Sequence, residues 1–293
     1  MPARALTFGI SVVPLADNHA EVVEQVLAAE RLGLELVGIQ DHPYQRRFLD
    51  TFALMADLLA RTSRVTIFPD VANLPLRGPV LMAKAAASLD VMSGGRFELG
   101  LGAGSFWDAV AGMGGPRRRP GDSLGAMEEA IHILRAVFDG ERVVRGAGPH
   151  YPIPGYPPGP PPAHRIEIWI GAYGRRALGI VGRLGDGWVP SIGYLPPERY
   201  AEARRRLDDA AHAAGRQPAD IRRLYNLSGT ITDGERGEGP LDGPVEHWIE
   251  TLAGWAEDLA VDTFIFWPPD TGTAGIDAFA TRVVPAVRAA VRR

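Results

Sequence analysis

An acid and an imidazole stand side by side where a short apolar run of the sequence ends. The run Leu-Val-Gly-Ile at 36–39 is followed by Gln40, Asp41 and His42, and Pro43 then stops any regular element. Histidine titrates near neutrality and serves as a general acid or base. We therefore take His42 and Asp41 as candidate catalytic residues. The alternative is a loop histidine that only hydrogen-bonds the turn before Pro43.

Short β-branched runs alternate with helix-period segments along the whole chain, always strand first. Eight such pairs can be counted, from 6–13 with 19–33 to 261–268 with 276–293. Alternation of this kind predicts a parallel sheet covered by helices. Eight units in 293 residues favour a closed barrel over an open doubly wound sheet. The predicted fold class is α/β, a single (β/α)8 TIM barrel domain over residues 1–293.

One proline-rich stretch, 140–165, interrupts the alternation between the fourth and fifth units. Proline fixes φ and lacks an N–H, so we expect polyproline II or irregular structure there. A loop of this length in a compact domain often serves as a lid or binding segment. We predict an insertion after the fourth βα unit, which would shape a substrate pocket together with the loop 105–120. The helix before it is predicted to start at a capping Ser123.

The active site of a (β/α)8 barrel lies at the carboxyl ends of its strands. The residues predicted at or close to those ends are Asp41 and His42; Asp70 and Asn73; Gly102, Ala103, Gly104 and Ser105; Gly171, Ala172, Tyr173 and Gly174; Ser191, at the end of a strand that runs from Asp186, Gly187 and Trp188; and Asn226 and Ser228 on the seventh strand. Only His42 is an imidazole at such a position, and the other six histidines fall on predicted helices or in the proline-rich stretch. This distribution argues against a metal centre.

The glycine-rich loop Gly171–Gly174, followed by Arg175, is predicted to bind a phosphate. Glycines let the backbone approach an anion closely, and the amides at the start of the following helix point outward with a favourable dipole. Arg175 would add positive charge. The segment GLGAG at 100–104 matches part of the dinucleotide-binding pattern, but no open Rossmann unit surrounds it.

The composition excludes several classes of protein. The net charge of -4 and the pI near 6.0 give no reason to expect nucleic acid or an anionic membrane surface as a partner. The absence of cysteine removes disulfides and thiolate chemistry, and it fits a reducing, cytoplasmic location. Lys84 is the only lysine, and it falls on a predicted outer helix, which argues against a Schiff-base aldolase.

Four segments together resemble the luciferase-like monooxygenase family of flavin- and deazaflavin-dependent oxidoreductases. They are IQDHP at 39–43, DVANLPLRGPVLMAKAAASLDVMSGGRFELGLGAG at 70–104, IWIGAYG at 168–174 and GRLGDGWVPS at 182–191. The resemblance extends over nearly the whole chain, and LDVMSGGRFELGLGAG is its most specific part. It implies a (β/α)8 barrel, in agreement with the eight units counted independently.

The resemblance also implies a flavin-type ring across the strand ends, close to the Asp41–His42 pair, with its phosphate in the loop 171–174. The expected cofactor-binding residues are Asp70, Val71, Asn73, Gly102, Gly104, Gly171, Ala172, Tyr173, Gly174 and Arg175. Several family members have a non-proline cis peptide bond behind the ring, and the matching bond here is Asp70–Val71.

The acid–histidine pair resembles the branch that uses the deazaflavin coenzyme F-420, which favours hydride transfer to or from a small organic substrate. FMN is the alternative cofactor. An FMN-dependent monooxygenase would use reduced flavin and oxygen and need a partner flavin reductase. A non-catalytic flavin-binding protein on the same fold is a further alternative. The resemblance also implies a homodimer.

Overall fold

Parallel strands alternate with helices along the chain in the computed structural model, which describes residues 4–291. The strands are β1 Thr7–Val12, β2 Leu36–Ile39, β3 Thr66–Pro69, β4 Ala72–Asn73, β5 Leu99–Gly102, β6 Val144–Gly146, β7 Ile153–Tyr156, β8 Ile168–Gly171, β9 Gly187–Trp188, β10 Arg222–Ser228 and β11 Thr263–Trp267. The helices are α1 His19–Arg31, α2 Thr51–Arg61, α3 Leu74–Arg77, α4 Pro79–Ser93, α5 Trp107–Gly112, α6 Pro120–Phe138, α7 Arg175–Leu184, α8 Pro197–Ala213, α9 Val245–Asp258, α10 Ala274–Ala278 and α11 Val284–Ala290. A π-helical turn, Phe279–Val283, joins α10 to α11. No helix within residues 4–291 is long and apolar enough to cross a membrane.

The main sheet closes on itself through the chain segment that contains β3 and β4. Its nine strands run in the order β3-β2-β1-β11-β10-β9-β8-β5-β4, and the neighbours pair in parallel. β3 and β4 together form one of the eight strand positions (staves) of the barrel, and only Asp70 and Val71 separate them. This stave also pairs with the residues before β5, because the Ile67 N–H donates to the Arg96 carbonyl at 3.0 Å. The predicted (β/α)8 barrel is thus confirmed.

The barrel strands are apolar because they are buried on both faces. Their inward side chains form a compact cluster of Leu36, Phe68, Trp169, Val189, Leu224 and Ile265. The rings of Phe68 and Trp169 meet edge to face, with their centroids 4.9 Å apart. Burying each large side chain of this kind contributes about 1.5–3 kcal/mol. This filled interior leaves the open space at the strand ends.

Two helix boundaries compare with the prediction in opposite ways. Helix α1 ends just before Gly33, whose φ of +82° is the conformation that a glycine terminator adopts readily. Helix α6 begins at Pro120, so the predicted cap at Ser123 was wrong. Proline is favoured in the first helical turn because no N–H is needed there. The Ser123 hydroxyl instead donates back to the Pro120 carbonyl at 2.9 Å.

The proline-rich stretch 140–165 is more regular than predicted. It contains the antiparallel pair β6–β7, and Pro154 is accommodated because this two-stranded ribbon has only edges. Glu129 on α6 accepts the backbone N–H groups of His150 and Tyr151, each at 3.0 Å. The Lys84 ammonium on α4 donates to the Gly159 carbonyl at 2.6 Å. The stretch therefore lies against the outer helices, and none of its residues lines the cleft described below.

Candidate active site

A cleft of about 590 Å³ opens at the carboxyl ends of the barrel strands. This volume is typical of cofactor and small-molecule sites, which span about 300–1,000 Å³. Every stave except β1 contributes residues to its lining. The sequence-predicted residues that line it are Asp41, His42, Asp70, Val71, Asn73, Gly102, Gly104, Gly171 and Tyr173. Three others, Ala172, Gly174 and Arg175, do not.

Asp41 is anchored at the end of β2 by an arginine. The guanidinium of Arg77 donates to both carboxylate oxygens at 2.7 Å, and the Asn73 backbone N–H adds a bond of 2.8 Å. Arg77 comes from α3, the short helix that starts directly after β4. The Asp41 side chain is 1% exposed. Because both oxygens are engaged, this geometry favours a positioning role for Asp41 over proton transfer.

His42 follows Asp41 and faces the cleft from a partly buried position. Its ring stacks on Tyr44, with centroids 5.4 Å apart, and meets the edge of Phe106 at 5.6 Å. Burial lowers the pKa of His42 below 6.5, although the nearby Asp41 charge acts in the opposite direction. The imidazole is therefore neutral at pH 7 and able to accept a proton.

Val71 fills the space between the ends of β5 and β8. The Asp70–Val71 peptide bond is cis, as the resemblance implied. A methyl group added at Gly102 would come within 2.8 Å of a Val71 methyl, and one added at Gly171 within 3.3 Å. Glycine at these two strand ends thus leaves room for Val71 against the cleft.

Gly104 makes the sharp turn by which the chain leaves β5. Its φ is +101°, and a Cβ there would lie 2.4 Å from the Pro75 ring. Two residues later Phe106 also has a positive φ, of 52°, and its side chain is 56% exposed. A left-handed phenylalanine is uncommon, and such conformations cluster at functional sites. The turn places the Phe106 ring beside His42.

Asp70 forms part of the floor of the cleft. Its Oδ1 accepts a hydrogen bond of 3.0 Å from the Asn226 amide, which also reaches the Ser191 hydroxyl at 3.3 Å. Asp70 is 7% exposed, and burial raises its pKa to about 6. The Asn226 amide and the Ser11 hydroxyl offset this effect only in part.

The loop after β8 sends alternate residues toward the cleft. Gly171 and Tyr173 line it, and the Tyr173 hydroxyl accepts the Ser191 N–H at 3.3 Å. Ala172 is buried on the other side, where its carbonyl accepts the Trp188 indole N–H at 2.9 Å. Gly174 is the residue that precedes α7 and Arg175 begins that helix, and both are exposed. Their predicted phosphate contacts stay a prediction.

Several residues at the site were not found from the sequence. Phe106, Tyr194 and Trp267 line the cleft. Tyr44 stacks on His42, and Arg77 donates to Asp41. The cluster of aromatic residues close to strand ends was a usable signal for the rings. The partner of Asp41 had no such signal, because Arg77 lies 36 positions away.

The walls of the cleft fit a flavin-type ring. Three side-chain atoms that line it are buried and make no well-formed hydrogen bond among residues 4–291: Asp70 Oδ2, Asn226 Oδ1 and Trp267 Nε1. The pyrimidine edge of such a ring carries both carbonyl acceptors and N–H donors, which can satisfy groups of these types. Within the same range, no group of three or more His, Asp or Glu side chains is placed to hold a metal ion.

The sequence model of the luciferase-like monooxygenase family matches residues 6–236. The chain belongs to this family. The luciferase-like fold also appears in solved structures: an F-420-dependent secondary alcohol dehydrogenase, determined with an F-420–acetone adduct, superposes with a TM-score of 0.85 at 18% identity, covering 97% of this chain and 99% of that one. A riboflavin lyase determined with modified FMN and riboflavin has a TM-score of 0.85 at 16% identity, covering 99% of this chain and 93% of that one. At sequence identities this low, the similarity to these two structures supports the fold but not a shared function.

Curated luciferase-like relatives are more similar in sequence. An F-420-dependent glucose-6-phosphate dehydrogenase of Microbacterium testaceum is 31% identical over 230 residues, which are 76% of this chain and 67% of that protein. A 5,10-methylenetetrahydromethanopterin reductase of Archaeoglobus fulgidus is 30% identical over 213 residues, 72% of this chain. The match spans 60% of the length of that reductase.

Proposed function

We propose that the protein is a coenzyme F-420-dependent oxidoreductase that transfers a hydride to or from a small organic substrate. The observation that carries this proposal is the position of His42 on the wall of a cleft at the strand ends, next to Asp41, whose carboxylate is held by Arg77. The F-420-dependent glucose-6-phosphate dehydrogenase among its relatives supports the deazaflavin as the cofactor.

His42 is the proposed acid/base residue. The bound deazaflavin supplies a two-electron centre that accepts or donates a hydride. Oxidation of an alcohol also releases the hydroxyl proton, and a neutral imidazole at the cleft wall is suited to take it. In the reverse direction the protonated ring returns the proton to the carbonyl oxygen. Asp41 does not touch the substrate in this account; it orients the chain that carries His42.

Aromatic rings are proposed to limit the access of water to the cleft. Phe106 and Tyr44 contact His42. The ring centroids of Tyr173, in the loop after β8, and Tyr194, after β9, are 5.4 Å apart. Tyr194 is 67% exposed and Tyr173 39% exposed, so a bound cofactor and substrate would cover apolar surface here. Burial of that surface favours binding.

The remaining predicted residues are proposed to hold the cofactor. Gly102 and Gly171 leave room for Val71, which would back the ring, and Gly104 turns the chain at the cleft. Asn73 sits beside Asp41 at the end of β4. The phosphate is proposed to meet the amides of the loop 171–174 and the start of α7, with Arg175 adding charge. Neutralising Arg175 should then weaken binding more at low than at high ionic strength.

Turnover tests the proposal directly. Purified protein is mixed anaerobically with oxidised F-420 and, separately, with glucose 6-phosphate or a secondary alcohol, and the absorbance of the oxidised cofactor is followed. Reduced F-420 with carbonyl substrates covers the reverse direction. Substrate-dependent bleaching or recovery is expected, and it should be lost in His42→Ala. Oxygen consumption with reduced FMN and no reaction with F-420 would contradict the proposal in favour of an FMN monooxygenase with a partner reductase.

We also propose that the enzyme acts in the cytoplasm as a homodimer. The support is the cysteine-free composition and the behaviour implied by the family resemblance. Light scattering on the purified protein tests the oligomeric state, because one chain has a mass of 31.5 kDa. A mass near this value at micromolar concentration would contradict the dimer.

A further inference from the structure

Asp70 differs from the other buried aspartates in residues 4–291. Five aspartates are buried in this range. Four of them each accept at least two hydrogen bonds, and the donors are cationic side chains, backbone N–H groups or a hydroxyl: Asp41, Asp90, Asp186 and Asp262. Asp70 accepts one well-formed side-chain hydrogen bond, from the neutral amide of Asn226, and its other polar neighbour, the Ser11 hydroxyl, is also neutral. A buried carboxylate is stabilised by several donors or by a cation. Asp70 has neither, so its ionised form is poorly solvated.

The polar atoms around Asp70 are arranged in an incomplete network. Asp70 Oδ2, Ser11 Oγ and Asn226 Oδ1 are all buried, and none makes a well-formed hydrogen bond within the described part of the chain, although the neutral Ser11 hydroxyl lies close enough to Asp70 to lower its pKa in part. Ser11 comes from β1, Asn226 from β10 and Asp70 from the segment between β3 and β4, so the unpaired atoms converge from three different parts of the barrel wall. A proton on Asp70 would turn one acceptor of this network into a donor and remove the buried charge.

The titratable groups near Asp70 do not stabilise its charge. The end of β2 contributes Asp41, whose partner Arg77 is already engaged by two aspartates. It also contributes His42, which is neutral at pH 7 because its pKa is lowered. The loop after β8 contributes Tyr173, and the Asp70 charge helps to raise the pKa of that phenol, after the larger effect of burial. β1, β9 and β10 contribute Ser11, Ser191 and Asn226, which do not titrate.

We propose that Asp70 binds the cofactor as a neutral carboxylic acid, so that binding to this cleft takes up one proton from solvent. The inference rests on the proposed function, since it concerns the same cleft. A planar ring over the floor excludes water from the exposed side of Asp70 and thereby desolvates its carboxyl further. Both candidate cofactors also bring a negatively charged phosphate. Each effect disfavours the carboxylate and favours the acid.

The linkage has a direction that can be measured. The pKa of the free Asp70 carboxyl is about 6, so this group is mostly ionised at pH 7.5 before binding. If binding raises that pKa, the cofactor Kd of the wild type rises by about tenfold per pH unit above pH 6, until the pKa of the complex is reached. Asp70→Asn keeps the shape of the side chain and cannot titrate, so its Kd lacks this contribution.

The test is a cofactor titration of the wild type, Asp70→Asn and Asp70→Ser between pH 6 and pH 8, with F-420 and with FMN. Quenching of tryptophan fluorescence gives Kd without turnover. Protonation of the cofactor itself affects the Kd of every variant equally. The ratio of the wild-type Kd to the Asp70→Asn Kd therefore reports only the pH dependence that is due to Asp70. His42→Gln is the matched control for the other titrating group in the cleft. Calorimetry of the wild type and of Asp70→Asn at pH 7.5, in two buffers of different ionisation enthalpy, gives the number of protons that each takes up on binding.

The ratio of wild-type to Asp70→Asn Kd is expected to rise at least about tenfold between pH 6 and pH 8, also in the His42→Gln background. Wild-type binding should take up close to one proton more than Asp70→Asn. Parallel pH profiles, or equal proton uptake, would overturn the role of Asp70 while leaving the proposed function intact. Failure of both cofactors to bind at any pH would contradict the proposed function, and the linkage with it.

Discussion

The guanidinium of Arg77 donates two hydrogen bonds of 2.7 Å each to the carboxylate of Asp41. Asp41 is 1% exposed and Arg77 15% exposed, so the pair is largely shielded from water. Arg77 lies on α3, the short helix after β4, whereas Asp41 lies just after the end of β2. The pair therefore ties together two of the strand ends that form the cleft, and it fixes the residue that precedes His42.

Breaking this pair should destabilise the protein strongly. Arg77→Met leaves the Asp41 carboxylate buried without its cation, and we expect the free energy of unfolding to fall by about 3–5 kcal/mol. Urea unfolding measures this change. Asp41→Asn combined with Arg77→Met should recover part of the loss, since the uncompensated charge is then gone.

Arg47→Met is the matched control for Arg77→Met. Arg47 pairs with Asp17 at 3.0 Å, but the side chains are 65% and 69% exposed. Such a surface pair contributes about 0–1 kcal/mol. If both variants lost the same free energy of unfolding, the buried pair would contribute no more to stability than the surface pair.

Removing the imidazole of His42 should affect turnover far more than folding. We expect His42→Ala to lower kcat about 100- to 10,000-fold, the usual contribution of a general acid or base. The loss of ring contacts with Tyr44 and Phe106 should cost only about 1 kcal/mol of stability. His132→Ala, on the exposed face of α6, is the control and should change neither quantity. A large loss of stability together with activity would make His42 structural.

The pKa of His42 in the free protein should lie below 6.5. Burial is the larger influence and lowers it, while the charge of Asp41 opposes the shift. The imidazole proton resonance, assigned by its absence in His42→Ala, can be followed by NMR across pH. Phe106→Ala should expose the ring to water and move the pKa back toward 6.5. A wild-type pKa above 6.5 would contradict this description of the site.

A methyl group added at Gly104, beside the cleft, should lower the stability of the protein. Gly104→Ala places a Cβ at 2.4 Å from the Pro75 ring at a φ of +101°. Gly114→Ala is the control, because Gly114 has a φ of +82° with no atom within 4 Å of its added Cβ. We expect about 1 kcal/mol of destabilisation at Gly114 from backbone strain, and a further 1–3 kcal/mol at Gly104 from overpacking. Thermal unfolding compares them, and equal losses would contradict the crowding at Gly104.

The ion pairs of His164 should make the stability of the protein depend on pH. Its ring nitrogens face Asp90 Oδ1 at 2.7 Å and Glu98 Oε1 at 3.2 Å. The hydrogen bond to Glu98, aided by both carboxylate charges, raises the pKa of His164 to about 9 from 6.5. Its contribution is therefore complete below pH 6.5 and is lost as the pH rises through 9.

The check on His164 is urea unfolding of the wild type and His164→Gln at several pH values. The wild type should be the more stable at pH 6, and the difference should shrink toward pH 10. His164 is one-third exposed, so solvent screening keeps the effect modest. A difference that does not change with pH would show that the pair acts without the imidazolium charge.

The order of strands and helices was readable from the sequence because both faces of each barrel strand are buried. Such strands are continuous apolar runs, as in residues 36–39, and the polar residues that follow them mark the strand ends. Asp41, His42, Asp70 and Asn73 were found in this way. The hairpin β6–β7 was missed because the local signal of its prolines favoured irregular structure over pairing.

Contacts between distant residues were beyond the reach of sequence patterns. Nothing near Asp41 indicates that Arg77 engages it, and nothing near Asp70 shows that no cation reaches it. Phe106 has a backbone conformation that a phenylalanine rarely adopts, so its place beside His42 could not be expected. These features depend on how the loops meet over the barrel, which local propensities do not specify.

Side-by-side titration of the protein with coenzyme F-420 and with FMN shows which of the two cofactors this cleft prefers. Trp267 lines the cleft, so a bound cofactor should quench its fluorescence, and Trp267→Phe should reduce that quenching. We predict that F-420 binds at least about tenfold more tightly than FMN, a difference of about 1.4 kcal/mol. Tighter binding of FMN, or no binding of F-420, would contradict the assignment of this cleft to the deazaflavin.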